Sequence, residues 1–363
     1  MSIYLKLVPM KFLVLALSAL WLSPTWGYSG SKNTSPREII PATLQVSASN
    51  VRQLHSTATT LSMIPIDSDQ LLVASQPHTP VPATRVSLIK PKGFTAAKNF
   101  SGFEQTNTGA SIIITEMPAP YTQIASGLNA ANLKTRGMTL RKKQSITIDG
   151  YSGQLLQVTQ VANLIEFVRW LVVFGDETET VIIGASLPKN LQSSLSLPLK
   201  SSILSAKWQK TKVLDPLADI NFAVESTPKL KFALRVQNSL LYTGDGVIPA
   251  KSPESPIFIV AQAISNITVK DRKQFSENRL AQTAQIENLS IDTSSVISIN
   301  GLSGYEIIGK ARERDTNTPL TVYQVMLFEE DTYYIIQGIV GEKLKAEYLD
   351  DFQRMARSFK RKN

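Results

Sequence analysis

The chain of 363 residues contains no cysteine and only two histidines. Without thiols it cannot form disulfides, zinc–thiolate sites, iron–sulfur clusters or a cysteine nucleophile. The histidines, His55 and His78, lie in a polar stretch outside the two folded units identified below. Because histidine is the commonest general acid–base residue and metal ligand, neither folded unit is expected to hold a Ser-His-Asp triad. The sequence therefore predicts a protein that is not an enzyme and that has no cofactor and no metal site.

The N-terminus has the pattern of a secretory signal. Lys6 and Lys11 precede an apolar run of 11 residues, FLVLALSALWL, and small residues follow at Thr25 and Gly27. This order predicts a signal peptide over residues 1–27, with cleavage after Gly27. A membrane anchor is the alternative, but the run is shorter than the ~20 apolar residues that span a bilayer. We expect an exported protein, located in the periplasm, the thylakoid lumen or the extracellular space.

Charge and polarity divide the rest of the chain. Residues 28–85 are rich in Ser, Thr, Pro, Gln and Asn and have few aromatics, which predicts a polar, flexible linker. Residues 86–210 carry 13 Lys and Arg against 7 Asp and Glu, whereas residues 219–363 carry 18 of each. The basic part is therefore the candidate for contact with an anionic partner, although charge kept for solubility explains it equally well.

An internal repeat is the most informative feature of the sequence. ITIDGYSG at 146–153 matches ISINGLSG at 297–304, and FGDETETVIIG at 174–184 matches FEEDTYYIIQG at 328–338. These pairs are displaced by 151 and 154 residues, and the end of the last helix, taken as Trp208 and Phe359, by 151 again. We infer two tandem copies of one module, over residues 86–210 and 219–363. Relative to the first copy, the second copy is therefore predicted to have three extra residues in a loop between strands and three fewer residues further along the chain.

Periodicity predicts the same order of elements in each copy. In the first, Ser111–Met117 is a predicted strand, Tyr121–Gly137 a helix, and Met138–Ile148 the first of several adjacent strands, with a helix near Ala206 at the end. In the second, the closing helix is marked by apolar residues three or four apart, at Leu344, Tyr348, Phe352, Met355 and Phe359. Adjacent strands joined by short turns and flanked by helices predict an α+β fold, a mainly antiparallel sheet packed with helices.

The residues also resemble a known family. PKGF at 91–94, FSGF at 100–103, SIIITEMP at 111–118 and IDGYSG at 148–153 look like bacterial domains with the PsbP-like fold. The resemblance covers most of residues 88–208 and, through the repeat, 219–360, so that it implies two tandem PsbP-like modules. Characterised members bind proteins, which implies a protein partner here. The shared motifs are turn glycines and strand residues, so no functional residue is carried over, and fold alone does not transfer function.

Three groups of residues are candidate sites. The paired glycines Gly150, Gly153, Gly301 and Gly304 fit tight hairpins better than a phosphate loop. The acidic turns at 176–179 and 329–331 fit solvated hairpin tips better than a calcium loop. The basic cluster is the best candidate for partner binding, and it consists of Arg136, Arg141, Lys142 and Lys143.

We therefore predict an exported, non-catalytic binding or accessory protein whose first module contacts a protein partner. One alternative is a binder of membrane surface or envelope polymer through the basic first module, with the basic tail Lys360–Lys362 adding a weak membrane contact. Another is a hydrolase that uses only carboxylates, which needs two acidic residues converging in a cleft. No pattern of aromatic residues for stacking on nucleic acid is present.

Overall fold

The computed structural model of the chain describes residues 77–162, 164–264 and 267–362. The predicted signal peptide lies outside these residues, as does the predicted linker up to residue 76. Residues 77–85, which the sequence assigned to the linker, pack on the first module, where Val81 is only 2% exposed. His78 is likewise in contact with the module, since its Nε2 lies 2.8 Å from the carbonyl oxygen of Ser205. No helix in the described part of the chain is long and apolar enough to cross a membrane.

The first module contains ten strands and three helices. The strands are β1 (Thr79–Pro80), β2 (Val86–Leu88), β3 (Thr95–Ala96), β4 (Gly102–Gln105), β5 (Ala110–Met117), β6 (Met138–Ile148), β7 (Tyr151–Ala162), β8 (Ile165–Gly175), β9 (Thr180–Pro188) and β10 (Lys207–Trp208). The helices are α1 (Tyr121–Ser126), α2 (Ala130–Lys134) and α3 (Gln192–Leu204). Seven strands form an antiparallel sheet in the order β3-β4-β5-β9-β8-β7-β6, and β1, β2 and β10 form a small second sheet.

The second module repeats this plan with nine strands and two helices. Its elements are β11 (Phe222–Ala223), β12 (Lys231–Val236), β13 (Ser239–Thr243), β14 (Ile257–Gln262), α4 (Arg272–Ala281), β15 (Ile286–Ile299), β16 (Leu302–Glu313), β17 (Pro319–Phe328), β18 (Tyr333–Gly341), α5 (Lys345–Arg357) and β19 (Lys360–Arg361). The seven-stranded antiparallel sheet has the order β12-β13-β14-β18-β17-β16-β15. The predicted fold class, two tandem α+β modules with mainly antiparallel sheets, is confirmed.

Each closing helix covers one face of its sheet. Leu199 and Ile203 of α3 pack on strand residues of the first sheet such as Ile112. In the second module, Phe352 and Met355 of α5 pack in the same way. Burying these side chains stabilises each module by ~1.5–3 kcal/mol per side chain. Helix α5 lies where the three- and four-residue spacing predicts it, because that spacing places the apolar residues on one face.

The repeat is real, but its register differs from the one read off the sequence. Gly153 pairs with Phe174, whereas the equivalent Gly304 pairs with Leu327. The displacement between copies is therefore 151 residues at the first hairpin and 153 at Phe174, so Leu327 and not Phe328 is the equivalent residue. Both closing helices keep the displacement of 153. The turn between β16 and β17 is longer than the equivalent turn between β7 and β8, which accounts for the two added residues. The predicted later loss of residues does not occur before the end of the closing helix.

The predicted helix Tyr121–Gly137 is divided into α1 and α2. Helix α1 ends at Ser126, and the side chain of Asn129 accepts a hydrogen bond from the backbone N–H of Asn132 to begin α2. An N-terminal cap of this kind starts a new helix rather than continuing the old one. The matching segment of the second module is a single helix, α4, which is capped by Asp271.

The two modules are joined by a shared apolar cluster and a buried amide. The cluster combines Met117 and Ile182 of the first module with Val236 and Leu241 of the second. At its border the side chain of Gln237, 6% exposed, reaches into the first module. Its Oε1 accepts the N–H of Ser101 at 2.9 Å, and its Nε2 donates to Thr115 Oγ1 at 2.9 Å and to the carbonyl oxygen of Ile114. The modules therefore form one packed body.

Candidate functional site

A cleft of about 500 Å³ lies where the two modules meet. The first module contributes the end of β5 and the turn that follows it, through Glu116, Met117 and Pro118. The segment that connects the modules, residues 210–216, forms a second wall, and β12 of the second module forms a third. The volume lies within the range of ligand-binding pockets, ~300–1,000 Å³. Neither module alone encloses this space.

A network of ion pairs lines the first wall. The guanidinium of Arg85 contacts Glu116 through Nε at 2.9 Å and Glu179 through Nη2 at 2.8 Å. Lys210 extends the network to Asp176 and donates to Thr178 Oγ1 at 2.9 Å. Burial opposes the charge on Arg85, but hydrogen bonds and ion pairs with the two glutamates outweigh it and raise the pKa of Arg85. The hydrogen bond from Lys210, with those from backbone N–H groups, holds the pKa of Asp176 well below its usual range.

Trp208 anchors this network to the core. Its indole Nε1 donates to Glu116 Oε1 at 2.8 Å, and the Arg85 guanidinium lies 5.5 Å from the centre of the ring. The backbone N–H of Trp208 donates to Asp149 Oδ2 at 2.7 Å. Asp149 and Gly150 have φ of 50° and 84°, so the motif is a tight hairpin, as the sequence predicts. The Asp149 side chain has the structural role of holding β10 in place.

The opposite wall is the free edge of a sheet. Strand β12 pairs with β13 on one side, and in the described part of the chain no strand pairs with its other side. Four consecutive residues, 232–235, line the cleft. Side chains of a strand alternate between faces, so a run of consecutive lining residues means that the cleft borders the strand edge. An edge of this kind presents unpaired N–H and C=O groups.

Arg235 fixes the connecting segment against this edge. Its Nε donates to the carbonyl oxygen of Gln237 at 2.6 Å, and its Nη1 donates to those of Pro216, at 3.3 Å, and Ala218. Burial lowers the pKa of Arg235. Just before these anchors in the connecting segment, Val213 is 92% exposed on the cleft wall. The cleft therefore combines an open strand edge, an exposed apolar residue and a rigid charged wall.

The predicted basic cluster lies elsewhere, and its members do not share one surface. Arg141, Lys142 and Lys143 are exposed on β6, the outer strand of the first sheet. The register passes from Leu140 directly to Lys142, so Arg141 occupies a β-bulge. Lys142 and Lys143 follow each other in the strand and project from opposite faces.

Their contacts are local. Lys143 Nζ donates to the carbonyl oxygen of Leu128 at 3.0 Å, and Arg141 Nε donates to Thr159 Oγ1 at 3.1 Å. Arg136 is half-buried, and burial lowers its pKa. Charges and a bulge on an outer strand also serve to prevent edge-to-edge pairing between molecules.

The predicted acidic turns are engaged in ion pairs. Asp176 and Glu179 join the network of Arg85 and Lys210, and Glu329 pairs with Arg361 at 2.8 Å in the second module. Among the residues that the structure describes, no group of three or more His, Cys, Asp or Glu side chains is placed to hold a metal ion.

Sequence reasoning did not identify the cleft residues. Arg85 was assigned to the linker, yet it bonds to Glu116, Glu179 and Lys210, which are 31, 94 and 125 positions away. Nothing local marks residues so far apart as neighbours. The one usable signal was the alternation of Arg85-Val86-Ser87-Leu88, which is typical of a short strand.

No family model matches the chain, and no curated protein matches it. Similar solved structures include cyanobacterial PsbP (CyanoP) from Synechocystis sp. PCC 6803, which is 13% identical over 40% of this chain and 99% of that one, with a TM-score of 0.27. LpqN, involved in cell envelope biogenesis of Mycobacterium tuberculosis, is 10% identical over 39% of this chain and 83% of that one, with a TM-score of 0.28.

A third similar structure spans both modules. The apo immunity protein TplEi of the T6SS from Pseudomonas aeruginosa is 13% identical over 77% of this chain and 95% of that one, with a TM-score of 0.28. Likeness at these values does not transfer function, and the resemblance to the PsbP-like family stays a prediction. What this chain does must follow from its own cleft.

Proposed function

We propose that this chain is an exported, non-catalytic binding protein that holds an extended segment of a partner protein in the cleft between its modules. The observation that carries the proposal is the free edge of β12, which borders the cleft along residues 232–235. An extended peptide adds to such an edge through main-chain hydrogen bonds, while pockets beside the edge select its side chains.

The chemistry of the walls supports a peptide ligand. Val213 and the half-buried Leu234 offer apolar contact on the side of the second module and the connecting segment. Across from them, Glu116 and Glu179 are held in fixed positions by Arg85. A rigid wall loses little entropy on binding, which favours affinity.

The carboxylate hydrolase is the less favoured alternative. The cleft does bring together three acidic side chains, Glu116, Glu179 and Asp215, and the last of these accepts the backbone N–H of Leu217 at 2.9 Å. Glu116 and Glu179 are bonded to the same guanidinium, and Glu116 also accepts hydrogen bonds from the Arg85 backbone N–H and the Trp208 indole. General acid–base catalysis needs a carboxyl within reach of the substrate and free to exchange a proton. These carboxylates instead serve as the fixed partners of Arg85.

The basic residues of the first module are a secondary proposed contact. Arg141 and Lys142 lie next to each other in the bulged part of β6, and an acidic patch of the same partner fits them by charge. Arg136 and Lys143, with their local contacts, contribute less. A binder of anionic membrane or envelope polymer needs a wider basic surface, and its binding is expected to weaken steeply with salt.

Site-specific photo-crosslinking tests the cleft. A photoreactive amino acid is placed at Val213, on the cleft wall, and separately at Leu197, which is 71% exposed on α3 and does not line the cleft. Both positions are exposed, so neither change disturbs the core. Crosslinking is carried out in cells that produce the chain, and adducts are identified by mass spectrometry.

The proposal predicts one dominant protein adduct at position 213 that is absent at position 197. The peptide adduct should map to an extended segment of that protein. Equal labelling at both positions, or no protein adduct at 213, would overturn the cleft as the binding site. Export is tested in the same cells by the intact mass of the purified chain, which should begin at Tyr28 if the signal is cleaved as proposed.

A further inference from the structure

A second cavity lies in the first module, on the face of its sheet opposite α3. It is a slot of about 40 Å³ whose walls include Ile113, Leu171, Ile182 and Gly184. Alternate residues of the same strands, such as Ile112 and Ile183, pack under α3. Because strand side chains alternate between faces, the slot residues point away from that helix. The slot is therefore distinct from the α3 core, and it meets the cleft between the modules only at Thr115, which lines both.

Arg169 lies in this slot without a partner. The side chain is half-buried, its Nε is inaccessible to solvent and donates no hydrogen bond, and within the described residues the guanidinium makes no hydrogen bond or ion pair. Burial lowers the pKa of Arg169 from 12.5 to about 10. Buried charges in proteins are normally paired, since an unpaired one is costly to remove from water. Arg169 is an exception to this rule, and an unpaired guanidinium of this kind is typical of a site that binds an anion.

The hydroxyl of Ser186 adds a second donor. Ser186 is directly opposite Arg169 in the register of β8 and β9, and it also lines the slot. Side chains directly opposite each other on neighbouring antiparallel strands have Cβ atoms roughly 5 Å apart. A carboxylate between them can accept two parallel N–H bonds from the guanidinium and one from the hydroxyl.

The second module shows what the same position looks like when it is filled. At the displacement of 153 residues, Val322 is the equivalent of Arg169 and Ile339 is the equivalent of Ser186. Val322 is 0% exposed and Ile339 is 3% exposed. Gln337 stands for Gly184, and its Nε2 donates to Thr283 Oγ1 at 2.9 Å and to Gln324 Oε1 at 3.3 Å. One copy of the fold therefore packs this region solidly, and the other leaves a hollow around a guanidinium.

We propose that the slot of the first module binds a carboxylate carried on an apolar chain. The volume of about 40 Å³ holds a group of roughly three water-sized units, which suits a carboxylate. The aliphatic walls suit the carbon chain that carries it. Two sources supply this chemistry, the C-terminus of a peptide with an apolar last residue and a fatty acid. Arg169 and Ser186 do not line the cleft, and the slot contains no residue of β12, so this inference does not rest on the proposed peptide cleft.

Isothermal titration calorimetry on the full chain tests the slot with three probes. N-acetyl-leucine represents a peptide C-terminus, octanoate represents a fatty acid, and N-acetyl-leucinamide has the same side chain as the first probe but no carboxylate. The variants are R169M, which keeps the length of the side chain and removes the charge, and S186A. R312M is the matched control, because Arg312 is an exposed arginine on β16 of the second module that lines neither the slot nor the cleft.

We expect at least one of the two carboxylates to bind, and the amide to bind at least roughly tenfold more weakly because it cannot form the charged pair. R169M should weaken carboxylate binding roughly tenfold or more, S186A should weaken it a few-fold, and R312M should leave it unchanged. The tighter of the two carboxylates identifies the source.

Absence of binding by both carboxylates, equal binding of acid and amide, or unchanged binding in R169M would each overturn the proposal. Thermal unfolding of R169M in the same buffer shows that the variant is folded, so a loss of binding cannot be assigned to misfolding.

Discussion

Replacing Arg169 by methionine should make the protein more stable at neutral pH. The pKa of Arg169 is lowered to about 10 from 12.5 by burial, and each pKa unit corresponds to about 1.4 kcal/mol. Because the side chain is half-buried and water still reaches part of it, the shift corresponds to at most about 3 kcal/mol of destabilisation of the folded state. Methionine breaks no hydrogen bond within the described residues and retains most of the side-chain length. Allowing for imperfect packing, we expect the free energy of unfolding of R169M to exceed that of the wild type by about 2 kcal/mol.

The sign of the pH dependence gives an independent check. The folded chain binds the Arg169 proton less tightly than the unfolded chain does, so the wild type gains stability as pH rises from about 10 towards 12.5. R169M lacks this gain. The advantage of R169M should therefore be complete at pH 7 and should shrink above about pH 10, while lysines and tyrosines titrate alike in both proteins.

Urea unfolding followed by circular dichroism measures both effects, with R141M as the control. Because Arg141 is exposed, R141M should change the free energy of unfolding by less than about 0.5 kcal/mol. If R169M is less stable than the wild type at pH 7 while R141M is unchanged, Arg169 has a favourable partner. The reasoning from an unpaired charge is then refuted.

Three further changes test the contacts that form the cleft. Q237A removes the amide between the modules and should cost roughly 2–4 kcal/mol in urea unfolding, because buried backbone groups lose their partners; a single sharp transition at the wild-type midpoint would contradict this. R85A leaves Glu116 and Glu179 without their shared cation and should cost about 3 kcal/mol, with only partial recovery in R85K, whose ammonium lacks the planar fork; full recovery by lysine would show that the charge alone matters. D176N should lower the melting temperature at pH 7, and this difference should shrink progressively as pH falls below about 4, because the depressed pKa of Asp176 gives stability that is lost between its unfolded and folded pKa values; a pH-independent difference would argue against the ion pair.

The internal repeat explains why the two copies can differ in role. Both keep the hairpin turn, the closing helix and the order of the seven strands. They differ at positions such as Arg169 and Val322, where one copy has a charge and the other an apolar residue. Once one copy supplies the stable packing, the other tolerates a destabilising group, and such groups concentrate at binding sites.

Several features of the fold were correctly predicted from local sequence. Strand β6 has the predicted bounds Met138–Ile148, and the Asp149-Gly150 turn has the positive φ angles that a two-residue hairpin requires. The closing helix α5 follows from its apolar spacing. In these cases the determinant lies within a few neighbouring residues, either as a periodicity or as a backbone conformation that few residue types adopt.

Errors arose where the determinant lies far away in the chain. Residue type matches Phe174 to Phe328, but the register of the sheet equates Phe174 with Leu327. Both of those residues face the closing helix of their module. The side of the strand that meets the core sets the register, and a shift by one residue reverses every side chain.

By itself, the sequence determined that the protein has two copies of one α+β module, where their hairpins turn and where the last helix lies. Only the tertiary structure decided that Arg85 joins Glu116 and Glu179, that β12 borders a cleft, and that the Arg169 Nε is buried without a hydrogen-bond partner. The physical reason is the separation along the chain between the residues that determine each feature. Turns and helices depend on neighbours in the sequence, whereas burial and pairing of a charge depend on strands that meet only when the sheet closes.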